Sequence, residues 1–425
     1  MANSTISTQC CIAGGGPAGI MLGFLLARAG VQVVVLEKHA DFFRDFRGDT
    51  VHPATLELMV ELGLIDTFLK LPHQKVETVS AQVGAEHLQV ADFRHLPTHC
   101  KFVALMPQWD FLNFLAEQGK RYKALDLRMQ AEATDLIEEN GRIAGVIADT
   151  PDGTLTIRAD LTIGCDGRHS TVRERAGLKS DDYGAPMDVL WFRLPRKESD
   201  SADTFGHFEA GRLMVMLNRG DYWQCAYVIP KGGIERVKSE GLEAFRGQLV
   251  EMSPFLSDRV GELKSWDDVS LLSVTVNRLR KWWRSGLLCI GDAAHAMSPV
   301  GGMGINMAVQ DAVAAANRLA GPLRAGKVTD EDLQAVQQRR TLPVRFTQWL
   351  QLTVQQRIIS RVLGSHERPK PPSFLKLFDV FPVFRRIPAR LIGIGIRPEH
   401  LQTPEAGADL SPSRAVPRHP SSASA

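Results

Sequence analysis

The sequence predicts an α/β fold: a Rossmann-like βαβ domain, a mostly antiparallel β-sheet domain inserted into it, and a C-terminal helical segment. Three observations predict it. Residues 9–13 form a short apolar run that ends in glycines. A helical pattern follows from Pro17 to Arg28, then the β-branched run Val31 to Leu36. Strand, helix and strand in that order make a βαβ unit, and an unbroken apolar strand suits a parallel sheet covered on both faces. Between about 181 and 275 the texture changes. Strand candidates Val189–Leu194, Leu213–Leu217 and Tyr222–Ile229 alternate with Gly- and Asp-bearing turns, without a βαβ rhythm. Residues 330–400 read as mainly helical and interrupted by proline.

The remaining elements follow from local pattern. Ile143–Asp149 and Thr154–Ala159, joined through Asp152-Gly153, read as a β-hairpin. Leu161–Cys165 reads as a further short strand. Leu287–Ile290 reads as another, leading into an Ala-rich helix over roughly Gly304–Leu319. This divides the chain into a discontinuous first domain (1–180 plus 276–345, with a substrate-side segment near 75–105), a sheet domain (181–275), a helical region (346–401) and a disordered tail (402–425) rich in Ser, Pro and Ala.

At 425 residues the chain can bury more than one core, and 44% hydrophobic with 23% charged residues is ordinary for a globular protein. Fifty basic against 48 acidic residues give a net charge of +2, which argues against a nucleic-acid partner. Met1 to Thr8 lacks a basic n-region and an apolar h-region, so no signal peptide is expected. Six cysteines show neither CxxC nor Cys/His metal spacing. No metal site is expected, and buried thiols in a reducing cytoplasm fit best.

Three motifs carry chemistry. Gly14-Gly15-Gly16-Pro17-Ala18-Gly19 contains GxGxxG between strand and helix, where backbone can approach a pyrophosphate at a positive helix end. Glu37 closes the second strand, placed to accept hydrogen bonds from ribose hydroxyls. This points to a dinucleotide without choosing between NAD and FAD. The second motif is Cys165-Asp166-Gly167-Arg168-His169-Ser170, which taken alone is an ordinary turn. The third is Gly291-Asp292-Ala293-Ala294-His295, continuing through Pro299-Val300-Gly301-Gly302-Met303-Gly304-Ile305-Asn306 to Gln310-Asp311. Here an acid past a strand end can hold a polyol hydroxyl, and the glycine-rich stretch opens a helix whose N–H groups face a negative centre.

In this order and at these separations the three motifs resemble the class A flavoprotein monooxygenases of the para-hydroxybenzoate hydroxylase fold, over roughly residues 8–345. The resemblance implies a glutathione-reductase-type FAD-binding domain. Gly14, Gly16, Ala18 and Gly19 would then surround the FAD pyrophosphate, and Glu37 would bind the adenosine ribose. Arg47 would lie near the flavin and nicotinamide path, Gln108 would touch FAD, and Asp166 would serve FAD and NAD(P)H binding. Asp292 would contact the ribityl chain and Pro299 the isoalloxazine. Gly304, Ile305 and Asn306 would present backbone to the pyrimidine edge of the flavin.

It further implies NADPH or NADH as a transient donor, O₂ as oxidant, and hydroxylation of a small aromatic or hydrophobic ring through a flavin C4a-hydroperoxide. No amino-acid nucleophile is required. His52, His207, Arg212 and Tyr222 are candidates to deprotonate a phenol, and for each a structural role is the plainer reading. Trp191, Phe192, Phe205, Phe208, Met214, Met216, Trp223 and Tyr227 supply candidate pocket wall, with half expected on each sheet face.

Rival readings are a halogenase, a geranylgeranyl-type reductase, or a non-catalytic FAD-binding protein. Trp223-Gln224-Cys225-Ala226-Tyr227-Val228-Ile229-Pro230 departs from the halogenase Trp-x-Trp-x-Ile-Pro spacing. Residues 374–396 mix apolar side chains with Lys376, Arg385, Arg386 and Arg390 and could meet a membrane surface. Pro382 and Pro388 break a long amphipathic helix there, which favours docking onto the protein's own body.

Overall fold

The computed structural model describes residues 4–43, 50–84, 86–201, 204–365, 367, 378 and 380–406. The predicted α/β architecture is present. An eight-stranded sheet has a parallel centre in the order Leu125–Met129, Val33–Glu37, Ser4–Ala13, Gly153–Gly164 and Leu287–Cys289. Glu132–Glu139 and Arg142–Thr150 extend it as an antiparallel meander. Cys10 and Ile12 pack toward the helices, whereas Cys11, Val34 and Leu36 pack against Val146 and Ile157 on the other face. Both faces are covered, so the sequence there is apolar at every position. The helix Pro17–Arg28 lies beside the long helix Gly304–Arg324 on the helical face, bringing the first and third motifs together.

The second sheet has seven strands in the order Ser270–Leu272, Met187–Pro195, Tyr222–Pro230, Arg212–Asn218, Phe205–Glu209, Thr78–Val83 and Glu86–Asp92. Every pairing is antiparallel except Phe205–Glu209 with Thr78–Val83. The segment near 75–105 therefore completes the inserted sheet. Its outer face is roofed by the helix Leu242–Met252, which buries Phe245, Leu249 and Met252 against Leu190, Phe192 and Met214. Each such side chain contributes roughly 1.5–3 kcal/mol of burial.

Four details differ from expectation. The first strand begins at Ser4, because its polar half is held by register with residues 155–159. Thr154–Ala159 and Leu161–Cys165 are one strand, Gly153–Gly164, running through the exposed Asp160. Two helices, Ile234–Glu240 and Leu242–Met252, lie inside the stretch read as sheet. Finally, the first residues of the expected tail dock. Arg28 Nη1 donates to the Thr403 carbonyl at 3.0 Å, Tyr122 Oη to Glu405 at 2.7 Å, and the Ala406 N–H to the Arg28 carbonyl at 2.7 Å. Polar anchors hold this stretch without an apolar core.

The helix Asp330–Val354 accommodates Pro343 and runs into a π-helical turn, Gln355–Ile359. The helix Arg386–Gly393 docks on the body through Ala389 and Gly393, against Phe93 and Leu96. Ile387 on this helix and Val383 in the turn before it are exposed. Among the described residues no helix is long and apolar enough to cross a membrane.

Candidate functional site

The site is built where the three motifs meet. Gly14 adopts φ +105°, and a side chain there would stand 2.4 Å from the Cys165 carbonyl oxygen. Gly19 would collide with the Gly14 carbonyl at 1.9 Å, and Gly15 would press on Glu37 at 2.9 Å. These three glycines are demanded by the protein's own packing. Gly16 is different, since a Cβ there meets nothing within 4 Å. Its missing side chain leaves room for something outside the chain. Ala18 is buried and packs against Gly291, joining the first motif to the third.

Two helix ends at this junction carry no cap. Pro17–Arg28 starts from Gly16, and Gly304–Arg324 starts from Met303, both without a side-chain cap or an acid in the first turn. By contrast, Asp330–Val354 has a Thr329–Asp332 capping box and three acids in its first turn. Bare N–H groups and a positive dipole end suit an anionic or electron-rich group. Gly304 likewise opens into free space. This pair of glycine-lined ends fits a cofactor bearing a diphosphate at one position and an electron-rich ring at the other.

Around these ends the expected residues take the following places. Glu37 accepts from the Gly15 N–H at 3.2 Å and the His39 N–H at 3.0 Å, so its carboxylate is fixed at the first turn. Asp166 is engaged within its own turn, accepting from Ser170 Oγ at 2.5 Å and the Val172 N–H at 3.0 Å, and burial raises its pKa. Asp292 is one-third exposed and meets Arg168 Nε at 3.3 Å. Arg173 Nη1 donates to the Ala293 carbonyl at 3.1 Å, a second tie between the second and third motifs. Gln108 opens the helix Gln108–Gly119. Pro299 precedes the short turn Val300–Gly302, in which Gly301 and Gly302 both need positive φ. Ile305 and Asn306 are buried in the first turn of the long helix. Arg47 lies outside the described residues.

The Asn306 carboxamide is fully used by the protein. Its Oδ1 accepts from the His52 N–H at 2.9 Å and Thr55 Oγ1 at 2.7 Å, while Nδ2 donates to the Thr50 carbonyl at 3.2 Å. Thr50 Oγ1 in turn donates to the Gly302 carbonyl at 2.7 Å. His52 donates from Nδ1 to the Ile392 carbonyl at 2.9 Å, and burial lowers its pKa to about 4. Asn306 thus staples the glycine loop and leaves its backbone to face a ligand.

Sequence reasoning missed the residue that anchors the third motif. Asp311, fully buried, accepts from the Gly291 N–H at 3.0 Å, His295 Nε2 at 2.6 Å and Arg340 Nε at 2.8 Å. Burial pushes its carboxyl up, but His295 and Arg340 outweigh that and hold it below the ordinary range. Arg340 also reaches Glu399 at 3.2 Å, which Arg339 shares at 2.7 Å. An acid within an Ala-rich helical run was the available signal, because it demands a buried cation.

Of the candidate bases, two face away from the site. His207 meets Ser253 at 3.4 Å and Arg212 pairs with Glu251, both on the helix-roofed side of the second sheet. Tyr222 stacks under Arg193 at 5.0 Å. The aromatic wall also divides differently from expectation. Phe192, Met214, Met216, Trp223 and Tyr227 fill the roofed core, with Phe205 packed against it. Trp191 and Phe208 join Val189, Val215, Ala226 and Val228 on the other face, in one cluster with Val300 of the glycine loop.

Comparisons with known proteins agree with this geometry. A profile of the FAD binding domain family matches residues 7–348. The 6-methylpretetramide 4-monooxygenase of Streptomyces rimosus is 33% identical over 337 residues, covering 78% of this chain and 80% of that protein. A rifampicin monooxygenase of Streptomyces venezuelae is 28% identical, covering 71% of this chain and 61% of that longer protein. Among solved structures, p-nitrophenol 4-monooxygenase from Pseudomonas putida superposes with a TM-score of 0.72 at 20% identity, over 91% of this chain and 97% of that one. At such identity the superposition speaks for fold alone. The sequence relatives carry the activity: this chain belongs to the FAD binding domain family and is an FAD-dependent monooxygenase of the para-hydroxybenzoate hydroxylase type.

Proposed function

We propose that the enzyme hydroxylates a fused or extended aromatic ring bearing an oxygen substituent, with NADPH or NADH as reductant and O₂ as oxidant. One observation carries the ring preference. The inner face of the seven-stranded sheet, with Val189, Val215, Ala226 and Val228, forms one apolar cluster with Val300 of the glycine loop. In that cluster the Trp191 indole Nε1 is buried with no hydrogen-bond partner among the described residues. A buried donor of this kind costs roughly 1–3 kcal/mol until it finds an acceptor. A phenol or ketone oxygen on the ring would supply one. The S. rimosus relative is named as a monooxygenase of 6-methylpretetramide, which supports an organic substrate of this kind.

In this reading the bare helix end at Gly16 takes the diphosphate of FAD, with Gly14, Ala18 and Gly19 shaping the turn and Glu37 the adenosine ribose. Asp292 takes the ribityl chain. Pro299, Gly304, Ile305 and Asn306 border the ring system, whose anionic character the uncapped 304–324 helix stabilises. Gln108 lies along the cofactor path, and Asp166 shapes the second turn from within. When bound, FAD supplies the redox chemistry that passes two donor electrons to O₂, one oxygen atom going to the ring and the other leaving as water. The apolar sheet face excludes water from that event. No side chain at the site is assigned as a base. All six cysteines are free and buried, which suits a cytoplasmic enzyme.

The test is a screen of phenols, quinolones, quinones and polyketide aromatics for accelerated NAD(P)H oxidation, with mass spectrometry of products. A gain of one oxygen that requires O₂ supports the assignment. Halide-dependent incorporation of halogen, or a basal rate that no ring compound changes, would overturn it.

A further inference from the structure

One stretch of hollow surface lies apart from the cluster of motifs. A hollow of about 430 Å³ and a neighbour of about 180 Å³ share Arg278 and Arg345. Together they form one groove along the Asp330–Val354 helix, from Gln337 to Gln356. These twenty residues of helix and π-helical turn rise about 28 Å, at roughly 1.5 Å per step. Arg278, Arg280, Arg345 and Arg357 line it. The one acid in the lining, Asp181, is already paired with Arg280 at 2.7 Å. Arg345 and Arg357 are exposed and have no ion-pair partner among the described residues. Arg357 sits in the π-helical turn, a distortion often found at functional sites. Two rings complete the lining. Tyr183 lies under Arg278 at 5.0 Å, and Trp349 is 59% exposed, with one neighbour, Phe346, at 5.7 Å.

We propose that this groove binds the phosphorylated adenosine end of the nicotinamide donor. The proposal rests on the NAD(P)H dependence argued above and deepens it. The donor brings two or three phosphates and an adenine. The chain has one GxGxxG turn, which the cofactor diphosphate takes, so the donor's phosphates must be met by side chains. Four arginines against one paired acid give the charge complement, fork-shaped donors match phosphate oxygens, and the open Trp349 ring offers a stacking surface for adenine. The groove is also joined to the cofactor loop. Gln348 Nε2 donates to the Ala296 carbonyl at 3.0 Å, and its Oε1 accepts from Arg278 at 2.8 Å. Ser273, whose carbonyl accepts from the Arg168 that holds Asp292, is five residues from Arg278. That is no more than about 18 Å of chain between the arginine groove and the Arg168–Asp292 pair, a span within the length of an extended dinucleotide.

The experiment uses the FAD-loaded full chain. Arg345→Ala/Arg357→Ala should raise the KM for NADPH at least tenfold. Arg236→Ala, which removes an equally exposed charge from a remote helix, should leave it within twofold. In parallel, 2′,5′-ADP should quench intrinsic tryptophan fluorescence, and the quench should vanish in Trp349→Phe and in the double arginine variant. An unchanged KM in a double variant that keeps its flavin and its melting temperature overturns the proposal. So does a wild-type protein that inorganic phosphate occupies as tightly as the adenylate. A wild type that oxidises neither NADPH nor NADH would sink the donor reading of the enzyme, and the adenylate titration would still decide the groove.

Discussion

Replacing Asp311 tests how the third motif is held. Its carboxylate is fully buried and makes three bonds, to the Gly291 N–H, His295 Nε2 and Arg340 Nε, at 2.6–3.0 Å. Arg340 is itself 1% exposed, and its other acid, Glu399, is shared with Arg339. In Asp311→Ala a buried guanidinium is left with half a counter-charge, and two further donors lose their acceptor. Breaking a buried pair from one side costs about 3–5 kcal/mol, a large part of the 5–15 kcal/mol typical of a folded domain. Asp311→Asn keeps the shape and a carbonyl acceptor but loses the charge, so about 2 kcal/mol is expected. Because the native carboxyl is held below its ordinary pKa, its contribution is present above the unfolded value near 4. It is lost as pH falls through the lower folded value, so the penalty of the Asn variant should shrink in acid. Urea denaturation at pH 7 and at pH 3 reads the stability, and the 450 nm to 280 nm absorbance ratio reads flavin content. The loosened Gly291–Asp292 turn should cost flavin in both variants. An alanine variant within 1 kcal/mol of wild type and fully yellow would refute the reasoning.

Three further outcomes are expected. Gly16→Ala should fold with apo-stability within about 1 kcal/mol of wild type yet bind FAD at least tenfold more weakly by fluorescence titration, because its Cβ meets only open space. Gly14→Ala should fail to fold, as its Cβ strikes the Cys165 carbonyl at 2.4 Å from a φ of +105°; soluble yield separates the pair. His52, held near pKa 4 against an ordinary 6.5, stays neutral while the unfolded chain takes up a proton. Stability from this residue is complete above pH 6.5, and about 2 kcal/mol of it is lost between pH 7 and pH 5. His52→Gln should flatten that part of the wild-type denaturation profile, and parallel profiles would contradict the assignment. Asn306→Ala should lower flavin retention on gel filtration by releasing Thr50, His52 and Thr55 from the helix end.

What was legible in the sequence was what is local. The βαβ turn reads clearly because its glycines, helix and closing Glu37 lie within 24 residues and answer to one another directly. The staple around Asn306 joins residues about 250 positions apart, and nothing in the local pattern of Thr50 or Thr55 announces it. The aromatic wall misled for a different reason. Size suggested Trp223, Tyr227 and Phe192 as substrate contacts, but register puts all three under the Leu242–Met252 helix. The other face carries Val189, Val215, Ala226 and Val228 alongside Trp191 and Phe208, two of the eight candidate wall residues. The strand through Asp160 was split because one charged residue looks like a break. In the sheet that position is exposed and costs little.

The division between satisfied and unsatisfied groups explains why so few side chains at the site look catalytic. Asp166, Asn306 and Asp311 are spent on protein partners: a turn, a loop staple and a buried cation pair. The C-terminal stretch beyond the matched family region joins in, Ile392 through His52 and Glu399 through Arg340. Among the described residues the two helix ends have no side-chain cap, and at Gly16 and Gly304 there is no side chain to compete for the space. Had either end carried the Thr–Asp cap of the Asp330–Val354 helix, its N–H groups would be taken and its dipole answered. A monooxygenase of this kind needs its polar residues to hold an empty, electropositive outline rigid, because the reacting atoms belong to the cofactor, the oxygen and the ring.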